Sequence, residues 1–468
     1  MNIKLHRNPL FDVLIILCDI AAVFVSYLIT RSVLNTILDA GELDVYLLAL
    51  FTGLLLFMFF SYEMYTKVIR NKYELCLSVG LSVIVADAVV FVVKSIAHLP
   101  HVSDLYFLLM PVVLIVILMV SKLVVLVLVK KFEGVSKLLV IESKDVENNL
   151  ARKVKYSYLD LYEAWYLMID VNDQQEIDDL INRKFDDYAS IFISPSIPDT
   201  LRDLLISRAV SKGMGIYILP DLYNINVMNS EVVQFDDTPA LRISAYGLTK
   251  LERVFKRMFD ILVASIAILI TSPVMLVCAA AIKLDSKGPV IYKQERLTIH
   301  QKPFYIRKFR TMRNDAEKET GAVLSVNNDP RITRVGKVLR QFRLDELPQF
   351  FNILSGSMSI VGPRPERPEF IRQFLQDIPN YDKRFFAKAG LTGLAQVYAK
   401  YETTPKDKLL FDILYIRDYS FWLDIKLVLL TLKIIFIKES SDGVKPIPDY
   451  SKQAETAANH PTNTGVSS

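Results

Sequence analysis

The stretch DPRITRVGKVLRQFRLDELPQFFNILSGSMSIVGPRPE, running from Asp329 to Glu366, sets the adjacent acids Asp345 and Glu346 among Arg331, Arg334, Lys337, Arg340, Arg343 and Arg364. Cations at that density repel one another unless an anion neutralises them. A diphosphate suits the role, because the guanidinium fork matches phosphate oxygens bidentately. Acids among phosphate-binding cations hold a metal, attack phosphorus, or both. The alternative is a solvated helix whose acids simply pair with neighbouring arginines. Pro348, three residues past Asp345, is a first-turn residue and predicts a helix from about Leu347 through Leu354. Its N-terminus would add partial positive charge beside the acids and favour phosphate. Neighbouring residues at a helix start point in different directions, so the two acids should have different tasks.

Working outward, KGPVIYKQERLTIHQKPFYIRKFRTMRND (residues 287–315) alternates over 290–293 and 304–309 and predicts a β-hairpin. Its cationic edge carries Arg307, Lys308, Arg310 and Arg313. Before it, an apolar run over 261–282 is long enough to span a membrane, yet Ser272-Pro273 stands at its centre. Proline removes a backbone hydrogen bond and kinks a helix, at about 3 kcal/mol. Basic residues flank both ends: Arg253, Lys256 and Arg257 before, Lys283 and Lys287 after. A single span would carry one cluster to the outer face, against the positive-inside bias. A re-entrant helix–break–helix keeps both on one side, with Ser272 able to satisfy a freed backbone group. A Pro-kinked fifth span is the competing layout.

The chain has 468 residues, 52% of them hydrophobic, with net charge +4. Its positive mean hydropathy of +0.30 points to membrane segments. Apolar stretches at 10–30, 45–62, 75–97 and 105–129 each approach the ~20 residues a crossing helix needs. They predict a four-helix transmembrane bundle. Lys4, Arg7, Lys67, Arg70, Lys72, Lys130 and Lys131 fall in alternate loops, whereas the other loops carry Asp39, Glu42, Asp44 and Asp104 with Arg31. Both ends of the bundle, and everything after Lys131, should therefore be cytoplasmic. A cleaved signal peptide is not expected. The small net charge argues against nucleic acid as a partner and suits an anionic inner leaflet. Asp87 and Lys94 share a face of the third helix and are expected to pair within the bundle, with a transport role as the alternative. Cys18, Cys76 and Cys278 lie in apolar runs and read as reduced, and the five histidines never reach zinc-ligand spacing.

From Lys137 to about Leu219, apolar runs at 138–141, 165–169, 191–194 and 216–219 alternate with polar helical stretches, predicting a small parallel α/β domain. The turn after its first strand, Glu142-Ser143-Lys144-Asp145-Val146, has no glycine, so a packing, regulatory or dimerising role is favoured over a nucleotide site. Residues 227–243 are read as an extra strand. Residues 421–437, led by Phe421-Trp422, read as an interfacial helix, and the polar sequence beyond Ser440 as a flexible tail.

Residues 257–438 resemble the monotopic phosphoglycosyl transferases, bacterial polyprenol-phosphate sugar-phosphotransferases that start capsule and exopolysaccharide assembly. The resemblance rests on Ser272-Pro273, KGPVIYKQER, RKFRTM, LDELPQFFNIL, VGPRPE and GLTGLAQV, in that order. The preceding helices and glycine-poor domain resemble the large subclass. Arg343 stands where relatives commonly carry Ser, Thr or Tyr, and Lys400 where some carry Arg. The resemblance implies that Asp345 attacks the β-phosphorus of a UDP-sugar, glucose first and galactose second, and releases UMP. Undecaprenyl phosphate would then take the sugar phosphate from the aspartyl intermediate. It implies Mg²⁺ near Asp345 and Glu346, with Lys308, Arg310, Arg334, Arg340, Arg364 and Lys400 as substrate contacts.

The expected architecture is an α+β membrane protein. Its parts are a four-helix transmembrane domain at 1–131, a Rossmann-like cytoplasmic domain at 132–245, a re-entrant hairpin with a cytoplasmic α/β catalytic domain at 246–440, and a tail at 441–468. The expected location is the bacterial inner membrane, multi-pass, with a homodimer as an open option. An ordinary glycosyltransferase releasing UDP, and a membrane scaffold retaining an inactive transferase domain, are the alternatives in function.

Overall fold

The computed structural model describes residues 9–38, 43–65, 72–99, 102–132, 136–144, 162–180, 185–228, 230–243, 246–313, 331–399 and 403–435. The predicted tail and Lys400 lie outside them. Two compact units divide the chain: Met1–Gly247 with Arg417–Phe436, and a second built on Leu248–Ile416.

The first unit opens with helices α1 (Pro9–Leu38), α2 (Val45–Ser61), α3 (Lys72–Ile96) and α4 (Tyr106–Phe132), where the hydropathy predicted them. Among the described residues, Val13–Thr36, Tyr73–Ile96, Tyr106–Val125 and Lys250–Asp285 are long and apolar enough to cross a membrane; Val45–Ser61 is apolar but shorter. Large apolar side chains such as Leu14, Phe24, Val92 and Val116 are exposed, as lipid-facing positions would be.

The predicted Asp87–Lys94 pair does not form. Lys94 pairs with Asp104 instead. Seven residues rise about 10 Å along a helix, beyond ion-pair reach, so a partner from another segment is nearer. The buried pair of the bundle is Asp19–Lys122 at 2.6 Å, joined by the Tyr65 hydroxyl, which donates to Asp19 at 2.7 Å. Helix Phe421–Ile435, grouped from sequence with the catalytic segment, belongs by its contacts to this first unit. Lys426 pairs with Glu63 at 2.8 Å and Lys433 with Glu74 at 2.7 Å, so it is held at the adjoining ends of α2 and α3.

The middle segment forms a fully parallel sheet in the order β2-β1-β3-β4, with β1 Ser136–Ser143, β2 Tyr162–Ile169, β3 Ser190–Ile193 and β4 Gly215–Ile218. Alternation along β1 sends Leu139 and Ile141 to a core shared with Ile191, Ile193, Leu201 and Leu205, and Leu138 and Val140 to the opposite face. The single extra strand expected after Val227 is instead a hairpin, β5 (Glu231–Phe235) with β6 (Thr238–Arg242), turned at Asp236 in the left-handed region.

The second unit starts with one helix, Lys250–Asp285, capped by a Thr249–Glu252 capping box. The predicted interruption at Ser272-Pro273 is absent: the helix continues through Pro273. Proline cannot donate to the carbonyl four residues back, that of Leu269. Ser272 Oγ donates to that carbonyl at 3.0 Å and removes the penalty of leaving it bare.

Strands β7 (Ile291–Leu297) and β8 (Pro303–Phe309) form the expected antiparallel hairpin. Met275, Cys278 and Ile282 pack with Phe309 and Leu339 into the core beneath it. Helix Arg334–Gln341 is capped by Thr333 and pressed against Thr311, and a Cβ on Gly336 would stand 2.1 Å from the Thr311 carbonyl oxygen. Gly336→Ala should therefore cost about 1–3 kcal/mol of overpacking strain. A lowered thermal unfolding midpoint of the solubilised protein checks this; an unchanged midpoint would contradict the close approach.

Candidate active site

Asp345 and Glu346 sit inside a 3₁₀ turn, Leu344–Gln349, which passes directly into helix Phe350–Leu354. The predicted helix thus begins earlier and tighter, placing the acids in its first turn. The chain enters through Arg343 in the left-handed region (φ 56°, ψ 18°). Helix Phe350–Leu354 is held at both sides. Asn352 accepts from Arg307 N at 2.9 Å and donates to Tyr305 O at 2.8 Å, standing in for a neighbouring strand along β8. Arg257 donates to the carbonyls of Ile353 (2.6 Å) and Leu354 (2.7 Å), a cation on a helix C-terminus.

This anchoring brings Lys308 of β8 to Glu346 at 3.2 Å. Arg364, beyond β9 (Ser359–Val361), reaches the same oxygen at 3.1 Å, and Arg343 stands 4.0 Å away. Burial alone would raise the Glu346 pKa; Lys308, Arg364 and Arg343 outweigh it and hold the carboxyl well below its usual range. Asp345 differs. Burial first, then the charge of Glu346, raise its pKa, against the pull of Lys308, Arg340 and Arg343. Among the described residues its carboxylate makes no hydrogen bond or ion pair. One acid is held by cations and the other is left open, the asymmetry predicted for neighbours at a helix start.

Arg340 lies in the electrostatic reach of Asp345 while its Nε donates to Thr311 at 2.8 Å. Arg310 is not brought to the acids. It lies one residue past β8, buried, and donates to the carbonyls of Ser286 (2.7 Å) and Lys287 (3.0 Å), tying down the end of the long helix. Arg334 is an exposed side chain in the first turn of its helix.

Three contributors were not among the predicted site residues: Arg343, Asn352 and Arg384. Arg384 is buried, donates to the Arg364 carbonyl at 2.8 Å and pairs with Asp412 at 2.9 Å, so it positions the loop that delivers Arg364. Arg343 was legible from its adjacency; the other two act through distant partners. No group of three or more His, Cys, Asp or Glu that could hold a metal occurs among the described residues.

The bacterial sugar transferase family matches residues 251–438. A galactosyl transferase CpsE of Streptococcus agalactiae is 30% identical over 343 residues, covering 66% of this chain and 73% of the relative. The chain belongs to the bacterial sugar transferase family. Also similar are a UDP-glucose:undecaprenyl-phosphate glucose-1-phosphate transferase of Klebsiella pneumoniae, 38% identical over 51% of this chain and 52% of that one. A UDP-N-acetylgalactosamine-undecaprenyl-phosphate N-acetylgalactosaminephosphotransferase of Aeromonas hydrophila is 46% identical over 38% and 43%. The matched region spans about half the length of these two curated relatives. Within this bacterial sugar transferase, both acids, their cations and all of the long helix but its first residue fall inside the matched residues.

Proposed function

We propose that the chain transfers a hexose-1-phosphate from a UDP-sugar to undecaprenyl phosphate. The observation that carries this reading is the open carboxylate of Asp345 beside a Glu346 held by Lys308 and Arg364. Asp345 attacks the β-phosphorus; the bond from that phosphorus to the bridging oxygen breaks, and UMP leaves with the electron pair. A phosphate oxygen of undecaprenyl phosphate then attacks the same phosphorus and displaces Asp345, forming the lipid diphosphate sugar. Lys308, Arg340 and Arg364 offset charge on the diphosphate as it is passed on.

Magnesium fits the donor set. Two carboxylates with no third acid among the described residues suit an ion that keeps waters and binds substrate phosphates more than a cage made of protein. Asp345 and Glu346 would hold it, and it would neutralise diphosphate charge when bound.

Support for a re-entrant course, with the long helix bending at Pro273 while staying continuous, comes from its two ends. Arg257 bonds helix Phe350–Leu354, and Asp285 accepts from Val335 N at 3.3 Å, so one small domain holds both ends. Between them Leu269, Ile270, Leu276 and Val277 are exposed. A bent helix dipping into the inner leaflet, with the catalytic domain cytoplasmic, would set the site at the level of lipid phosphates. The parallel sheet order supports reading 132–245 as Rossmann-like. Glucose-1-phosphate is the first choice of group, and capsule or exopolysaccharide assembly the process.

The test is the nucleotide released when membranes bearing the protein meet UDP-glucose, Mg²⁺ and undecaprenyl phosphate. UMP is expected. UDP would mean transfer of the sugar alone and overturn the mechanism; neither nucleotide, with UDP-galactose also inert, would favour an inactive scaffold.

A further inference from the structure

The loop that carries Arg364 reads Gly362-Pro363-Arg364-Pro365-Glu366. Proline has no amide proton, so at 363 and 365 the main chain can be held only through its carbonyls. Pro363 O accepts from Gly390 N at 2.9 Å, and Pro365 O from Arg296 at 3.5 Å. Between them the Arg364 carbonyl accepts from Arg384 at 2.8 Å. A buried side chain thus fixes the main chain from which Arg364 reaches Glu346 at 3.1 Å.

Arg384 is itself fixed from two sides. It pairs with Asp412, on helix Pro405–Arg417, at 2.9 Å, and donates to the Tyr381 hydroxyl. The side chains of Arg384 and Asp412 are 7% and 3% exposed, so water cannot stand in for either partner. Contacts therefore run without a gap from Asp412 through Arg384 and the Arg364 main chain to Glu346.

Four charged or titratable groups face Asp412: Arg384 and Tyr381 from the turn Tyr381–Phe386, Glu366 from the Arg364 loop, and Lys408 one turn earlier on its own helix. Burial first, then Glu366, push the Asp412 carboxyl up to about 6, against the pull of Arg384 and Lys408. Burial pushes Tyr381 up to about 12, well outside that range. Once Asp412 is neutral, Glu366 is the acid left in reach of Arg384. The guanidinium is then drawn toward Glu366 and away from the Arg364 carbonyl.

We propose that Asp412 is a positioning residue for the donor: through Arg384 its carboxylate holds Arg364 where it grips the diphosphate, and protonation of Asp412 loosens that grip. The identity of the donor rests on the transferase reading. The test is binding without turnover, by isothermal titration calorimetry of UDP-glucose into the full-length protein in detergent, across about pH 5 to 8. Asp345→Asn is the background, because it removes the nucleophile and also the other acid of the site whose pKa is raised. Both phosphates of UDP-glucose are esterified and keep their charge over that range.

The dissociation constant should rise roughly tenfold as the pH falls from about 7 to about 5, the size of one charge-assisted hydrogen bond. Adding Asp412→Asn should weaken binding by about that much at neutral pH and abolish the rise, whereas adding Asp412→Glu should keep it. Should Asp412→Asn fail to fold, Glu366→Gln takes its place. That change removes a charge that raises Asp412, so the rise should move to lower pH. The same rise with and without the Asp412 carboxylate would overturn the proposal. So would an affinity that ignores pH, or a rise left in place by Glu366→Gln. Failure of this linkage leaves UMP release by wild type untouched, and failure of the transferase reading shows in that release instead.

Discussion

Asp345→Asn should abolish turnover, by roughly 10⁴-fold or more, while the protein stays folded. The amide has the shape of the carboxylate but not its nucleophilic oxygen, so the first P–O bond cannot form. Few contacts are lost with it, because the Asp345 carboxylate has no hydrogen-bond partner among the described residues. Its raised pKa means that burial and Glu346 already disfavour the charge, so the neutral amide should not destabilise the turn. UMP release is the rate to measure, with thermal unfolding as the control for folding. Incubating wild type with UDP-sugar alone should add a sugar phosphate to the protein mass, and Asp345→Asn should not acquire it. Substantial turnover in the variant would remove Asp345 from the nucleophile's role.

Glu346→Gln should lower kcat by roughly 10²–10³-fold, the scale on which a preorganised charge contact matters in a reacting site. The Glu346 side chain is only 13% exposed and receives Lys308 and Arg364 on one oxygen, with Arg343 nearby. A neutral amide leaves those cations mutually repelling, and they would no longer be held where the proposed mechanism puts the diphosphate. Unlike Asp345→Asn, this variant should still form the covalent adduct, slowly. Trapping that adduct in Glu346→Gln separates the two roles; its absence there would mean that both acids are needed for the first step.

Much of this was legible because hydropathy and alternation are local. The four N-terminal helices follow from runs too apolar for water, and the four parallel strands from apolar runs spaced by polar helices. The acid pair and its surrounding cations were legible because charge crowding can be seen in one segment. Partner choice was not. Arg310 and Lys308 are two residues apart, yet Lys308 lies within β8 and meets Glu346, while Arg310 lies past its end and turns to Ser286 and Lys287. Nothing in RKFRTM distinguishes those two outcomes.

The sequence by itself determined which segments are too apolar for water, where acids and cations crowd together, and that the neighbouring acids would meet different surroundings. Tertiary structure decided which charges meet. Asp19 finds Lys122 across 103 positions where Asp87 and Lys94 were expected to pair. Arg384 and Asp412 together set the loop of Arg364, and Ser272 makes Pro273 tolerable in an unbroken helix. The physical reason is that secondary structure answers to the pattern along the chain, whereas a hydrogen bond or ion pair answers to a distance of a few ångströms in space. That distance exists only after the elements have packed.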